Sequence, residues 1–193
     1  VERDLYPLKA CGLKIISNSE EVWYSYSDIF QANKLISGFA EEKVRVAVGI
    51  GAGKYEGERK YPVRKYLAAF KKIVAKGAAL VIFGGSEESE DAKYLQENLP
   101  TDSILNLTDV GKGWRVDCAV MSQLDMYIGN LTGICNVAEA CHLPVIALSR
   151  EAKNRPADFN VVSQFFRGYP WKTATIVLRP NNPLGDCKNL LSK

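Results

Sequence analysis

A parallel α/β sheet covered by helices on both faces is the fold this sequence predicts, on three observations. From Val44 onward, short apolar runs alternate with helix-periodic segments, the order expected when each strand is followed by a helix that returns to start the next parallel strand. One run, Ala79-Leu80-Val81-Ile82-Phe83, is apolar throughout, as in a strand hidden on both faces. Glycines follow the runs that end at Val48, Phe83 and Ile128, where a strand stops and a backbone can approach a ligand closely.

In chain order, residues 1–43 offer two helical pieces, near Leu5 to Cys11 and near Asp28 to Phe39, separated by a polar stretch from Ser17 to Glu21. They read as linker and packing material that ends a missing amino-terminal domain. Val44 to Val48 is the first strand. Pro62 suits the first turn of a helix, in which Val63, Tyr66, Leu67, Phe70, Ile73 and Val74 recur at helical spacing until Gly77 ends it. The strand Ala79 to Phe83 is stopped by Gly84-Gly85, and a polar helix follows from Glu87 to Asn98. Next come a short strand at Ser103-Ile104-Leu105, a helix from Trp114 to Ser122, a strand from Asp125 to Ile128, a helix from Thr132 to Cys141 and a strand from Pro144 to Leu148. A last strand runs from Ala174 to Leu178, and Pro180, Asn181, Asn182, Pro183 and Gly185 mark a loop. Residues 44–179 therefore read as one Rossmann-like, doubly wound domain, and 180–193 as a carboxy-terminal tail.

Composition excludes several classes. The 193 residues suit one domain, with 47 % hydrophobic and 24 % charged residues, a balance typical of folded soluble chains. A formal charge of +3 gives no electrostatic footprint for nucleic acid, so any anion site is local. Cys11, Cys118, Cys135, Cys141 and Cys187 are odd in number and widely spaced. That argues against a disulfide framework and against a zinc site, and for a reducing cytoplasm. The sequence contains no run of about 18 apolar residues, the length that would span a membrane. The amino terminus, Val1-Glu2-Arg3-Asp4, has neither an initiator methionine nor a signal-peptide pattern, so the sequence reads as beginning mid-protein, as a processed product or, at least as naturally, as a domain of a longer enzyme.

Ligands of a doubly wound sheet bind outside the carboxyl ends of its strands. The loop Gly49-Ile50-Gly51-Ala52-Gly53-Lys54 lies there. It is not a P-loop, because Val48 stands where the first glycine belongs and Tyr55 follows the lysine, and the dinucleotide fingerprint lacks its third glycine. Gly129-Asn130-Leu131-Thr132-Gly133 is sharper: Thr132 can cap a helix, and Gly133 leaves its first turn unshielded for a phosphate. The plainer alternatives are a turn-rich loop and an ordinary capped helix. His142, the only histidine, ends a helix beside Pro144, where a structural or dipole role is favoured over catalysis.

Taken together, four blocks resemble glycosyltransferase family 9, the heptosyltransferase-like enzymes of two-domain GT-B architecture. They are Val46 to Gly53 with Arg59-Lys60-Tyr61-Pro62; Val81 to Glu88; Ile104 to Thr108; and Tyr127 to Gly133 with Ala138 and Leu143 to Leu148. Val1 to Gly12 also resembles the end of the family's amino-terminal domain. The resemblance implies a carboxy-terminal, donor-binding half of a GT-B fold. It further implies that Arg59 or Lys60 neutralises the donor diphosphate, with the backbone from Ala52 through Gly53 to Lys54 nearby, that Glu88, or less favourably Glu90, accepts hydrogen bonds from ribose hydroxyls, and that Thr132 and Gly133, next to Asn130, hold the diphosphate. Two positions depart from the family pattern: Leu131 stands where aspartate is usual, and Asn136 where histidine is usual.

The function so implied is an inverting glycosyl transfer from a nucleoside-diphosphate sugar, ADP-sugar favoured, to a glycan or lipid-linked glycan of lipopolysaccharide type. The setting is a bacterial cytoplasm, peripheral to the inner membrane at most. The acceptor's base would come from the missing domain, so no catalytic residue is assigned in this chain, and no metal or further cofactor is expected. The rival readings are a degenerate, non-catalytic binding or assembly module and a GT-B sugar-nucleotide epimerase.

Overall fold

A computed structural model of the chain describes residues 2–52, 60–108, 110, 112–149, 170 and 172–179. The order of elements is α1 (Glu2–Ala10), α2 (Tyr26–Ile36), β1 (Val44–Gly49), α3 (Val63–Val74), β2 (Ala78–Phe83), α4 (Ser89–Asn98), β3 (Ile104–Asn106), α5 (Trp114–Met121), β4 (Met126–Asn130), α6 (Gly133–Ala140), β5 (Val145–Leu148) and β6 (Thr175–Leu178). The strands form one parallel sheet in the order β3-β2-β1-β4-β5-β6. This is the doubly wound arrangement that the alternating pattern predicts.

Alternation along the strands builds two apolar layers. Val46, Val48, Leu80, Ile82 and Ile128 face α3 and α4, where Tyr66, Leu67, Phe70, Ala92 and Leu95 cover them. Ala47, Val81, Phe83, Tyr127 and Ala147 face the other way and pack with residues of α2, α5 and α6. Each large aliphatic side chain so buried contributes roughly 1.5–3 kcal/mol. The helix α2 belongs to this second layer through buried Ala32 and Ile36. A reciprocal Ser25–Asp28 capping box starts it, and the Ser25 hydroxyl donated to Asp28 Oδ2 at 2.7 Å holds that carboxyl below its usual range.

Several boundaries differ from the sequence reading for local reasons. The residues Ser86–Glu88 form a 3-10 turn before α4 instead of its first α-helical turn. Ser103 closes a second such turn, its hydroxyl donating to the Pro100 carbonyl at 2.6 Å, which delays β3 to Ile104. The strands β1 and β4 run on to Gly49 and Asn130, because Gly49 pairs with both Phe83 and Gly129 in the ladder. Gly77 behaves as expected: at φ +91° it takes the left-handed conformation that ends α3 and turns the chain into β2.

The chain order reverses between β1 and β4, since β1 proceeds outward to β2 and β3 whereas β4 proceeds to β5 and β6. Helices diverge from this switch point to opposite faces, which leaves a crevice above the carboxyl ends of the two strands.

Candidate functional site

The floor of the crevice is the pair Gly49 and Gly129, side by side in register. Both are glycine for a packing reason. A methyl group at 49 would come within 2.2 Å of the Tyr127 hydroxyl and 2.7 Å of Ile134 Cγ2, and one at 129 within 2.4 Å of the Gly49 carbonyl oxygen. Tyr127 therefore threads under both strands, and its hydroxyl donates to the Asn130 carbonyl at 2.9 Å. Missing side chains thus let the start of α6 settle directly on the strand ends.

On the opposite side of the sheet, Asn130 ties the two strand ends together. Its carboxamide nitrogen donates to the Ile50 carbonyl at 3.1 Å and the Gly51 carbonyl at 2.8 Å, while Oδ1 accepts from the Tyr66 hydroxyl at 3.1 Å. Two carbonyl acceptors fix which end of the amide carries nitrogen. Burial pushes the phenols of Tyr66 and Tyr127 well above their usual range, so both stay protonated and act as donors. Asn130 is 2 % exposed, and its two amide protons are both engaged inside the protein. The resemblance grouped it with the donor contacts; in the structure its carboxamide is bonded to the β1 loop and to Tyr66.

Glu88 reaches the same crevice from the end of β2. Its Oε2 accepts from the Gly85 amide at 2.9 Å, in the manner of a capping box. Its Oε1 lies against Gly51, where a methyl group would come within 2.7 Å of it. The carboxylate is thus buried between the β1 and β2 loops, with one oxygen committed to Gly85 and the other beside Gly51.

Thr132 precedes α6 in extended conformation and makes no side-chain cap to it. Its hydroxyl lies 3.5 Å from the Asn130 carbonyl, its own carbonyl accepts from Cys135 and Asn136, and the first turn of the helix carries no acidic residue. The amides of Thr132, Gly133 and Ile134 make no hydrogen bond to a described residue. They present the positive end of the helix dipole at the crevice, a natural seat for an anion.

Lys60 stands before α3 and is paired with Asp91 of α4, Nζ to Oδ2 at 2.6 Å. The next residue, Tyr61, meets the Tyr66 ring edge-on at 5.0 Å, so Lys60 is linked through Tyr66 to the Asn130 end of the crevice. Gly53, Lys54 and Arg59 lie outside the described residues. Glu90 is exposed on α4, and Asn136 exposed on α6. Leu131 turns into the apolar layer of α5 and α6. His142 is exposed with φ +60°, its amide donating to the Glu139 carbonyl at 2.8 Å as the chain leaves α6.

Among the described residues no cluster of three or more His, Cys, Asp or Glu side chains has metal-site geometry, and no helix is long and apolar enough to cross a membrane. Burial pushes the thiols of Cys135 and Cys141 up to about 12 and that of Cys118 up to about 11, so none is a ready nucleophile. Tyr66 and Tyr127 are the site residues that sequence reasoning missed. A tyrosine inside an otherwise aliphatic buried stripe was the available signal, since its hydroxyl has to find a partner.

Known structures share this architecture. A glycosyl transferase of family 9 from Veillonella parvula DSM 2008 superposes with a TM-score of 0.73 at 22 % identity, over 91 % of this chain and 47 % of that one. The ADP-heptose LPS heptosyltransferase II of E. coli does so with 0.66 at 17 % identity, over 89 % and 51 %. The E. coli heptosyltransferase WaaC with ADP gives 0.54 at 15 % identity, over 80 % and 42 %. No protein-family profile and no curated protein sequence matches the chain. It thus has the α/β fold found in these glycosyltransferases, and spans about half the length of each.

Proposed function

We propose that this chain is the nucleotide-sugar-binding half of an inverting, heptosyltransferase-like glycosyltransferase. The observation that carries this reading is the convergence, at one topological switch point, of an uncapped helix start (Thr132, Gly133) and a buried carboxylate (Glu88). A nucleoside diphosphate needs both: amides for the diphosphate, and an acceptor oxygen for the ribose hydroxyls. ADP-sugar is the favoured donor. Thr132 and Gly133 would hold the diphosphate and stabilise the charge that develops on it as the sugar departs. Glu88 Oε1 would accept the ribose diol, and Lys60, with Lys54, Arg59 and the backbone at Gly53 on the adjoining segment, would supply positive charge. The acceptor, a glycan or lipid-linked glycan of lipopolysaccharide type, and the base that activates it would belong to a preceding domain, so the chain alone would bind donor without turning it over. Bacterial cytoplasm at the inner membrane face is the setting that fits this chemistry, with no nucleic acid partner.

Calorimetric titration with ADP, UDP and their sugar conjugates tests the reading. The expected result is saturable heat with at least one nucleotide, ADP the tightest. Absence of heat with all of them at millimolar concentration would end it. Burial of Leu131 where the resembled family has aspartate, together with the engagement of Lys60 by Asp91, favours a second reading: a degenerate module that kept the fold and lost the donor. The same titration separates the two.

A further inference from the structure

The peptide groups at the end of β1 are oriented by residues far away in sequence. Asn130 draws the carbonyls of Ile50 and Gly51 toward one carboxamide. No peptide bond among the described residues is cis, and in a trans peptide the N–H points opposite to the C=O of the preceding residue. Inward carbonyls at 50 and 51 therefore turn the amides of Gly51 and Ala52 outward, away from Asn130. Neither amide makes a hydrogen bond to a described residue. Tyr66 anchors the oxygen end of the carboxamide, its phenol donating to Oδ1, while the two carbonyls take the nitrogen end.

We propose that Tyr66 and Asn130 are positioning residues of the anion crevice. They lock the β1 loop so that the Gly51 and Ala52 amides face a diphosphate together with the start of α6. The proposal rests on the nucleotide reading above for its ligand, but its claim about the loop stands on buried hydrogen bonds alone. Neither side chain touches the ligand: Tyr66 is fully buried and Asn130 nearly so. Their effect is exerted through two peptide planes.

Tyr66→Phe is the informative variant, since it keeps the ring that packs on Tyr61 and Phe70 and removes one hydroxyl. In the 193-residue chain it should weaken binding of ADP and of inorganic pyrophosphate by about three- to tenfold, the equivalent of one net hydrogen bond. It should also shift the backbone amide resonances of Gly51 and Ala52 in nitrogen-15 spectra. Asn130→Asp, which sets carboxylate oxygens against the two carbonyls, should lose more than about tenfold. Leu95→Val, a comparable perturbation of the same apolar layer on α4, should leave affinity and those resonances unchanged. Unmoved resonances in Tyr66→Phe, unchanged affinity despite moved ones, or an equal loss in Leu95→Val would each overturn the proposal. Should the parent chain bind neither probe, the nucleotide reading fails, and the Gly51 and Ala52 resonances still decide whether Tyr66 and Asn130 hold the loop.

Discussion

The helices α4 and α6 both begin at the carboxyl edge of the sheet, yet their first turns are finished in opposite ways. At α4 the chain supplies its own anion: Glu88 accepts from the Gly85 amide, and Glu87, Glu90 and Asp91 stand close by. At α6 there is no acid in the first turn and no side-chain cap from Thr132. One terminus is internally neutralised, and the other keeps its field for something else. A strand-to-helix junction is therefore not by itself an anion site; what counts is whether the protein has already filled it.

The sharpest way to break this contrast is to disturb the floor on which α6 rests. Gly129→Ala places a methyl group against the Gly49 backbone, which cannot move aside as a side chain would. It should lower urea-unfolding stability by about 3 kcal/mol or more. Gly133→Ala, where the new methyl group meets nothing within 4 Å, should change stability by less than about 1 kcal/mol, on the stabilising side. Equal losses in the two variants would show that the glycines of this junction are not divided between packing and exposure.

Glu88→Ala tests the filled terminus. Removal of the carboxylate leaves the Gly85 amide without its acceptor and should cost about 1–2 kcal/mol in the same assay. A neutral result would mean that α4 does not depend on its own anion.

The start of α5 is a third arrangement, with an acid in its first turn that is partly withdrawn from water. Burial raises Asp117 from 3.8 to about 6. The folded chain therefore holds this proton more tightly than the unfolded one, and the stability it lends is lost as pH rises from about 4 through 6. Asp117→Asn should gain about 1 kcal/mol at pH 8, after allowance for solvent screening, and nothing at pH 4. Unfolding curves at the two pH values check this; a gain independent of pH would refute it.

The smallest change in stability sharpens the comparison most. Thr132→Asp gives α6 the internal anion that α4 already has, and should raise stability by about 0.5 kcal/mol at low salt. The same variant should abolish calorimetric ADP binding. Retained binding would show that the helix start is not where the anion sits.

Much of this could be read in advance. The strands and α3 were legible because Ala79–Phe83 is apolar throughout and because Val63 to Val74 repeats at helical spacing, and both signals are local. The crevice was legible to the level of its loops, since Gly49, Gly84 and Gly129 mark strand ends whose neighbours follow from topology. The tasks of single residues were not. The partner of Asn130, Tyr66, lies 64 positions away in sequence, and Lys60, read as a counter-ion for the diphosphate, is paired with Asp91 of the next helix. Sequence reports which groups are polar, and only folding decides which of them are used up internally.

The tyrosine beneath the strand ends has an evolutionary corollary. Gly49, Tyr127 and Gly129 occupy one shared volume, so no single exchange can enlarge position 49 or 129 while the phenol remains. A lineage that shortened residue 127 would relieve the nearest clash at position 49 and leave Ile134 to yield, whereas position 129 would still meet the Gly49 backbone; one that kept tyrosine would hold both glycines fixed. Substitutions at 49 and 127 should therefore combine non-additively, while position 129 should stay glycine whatever stands at 127.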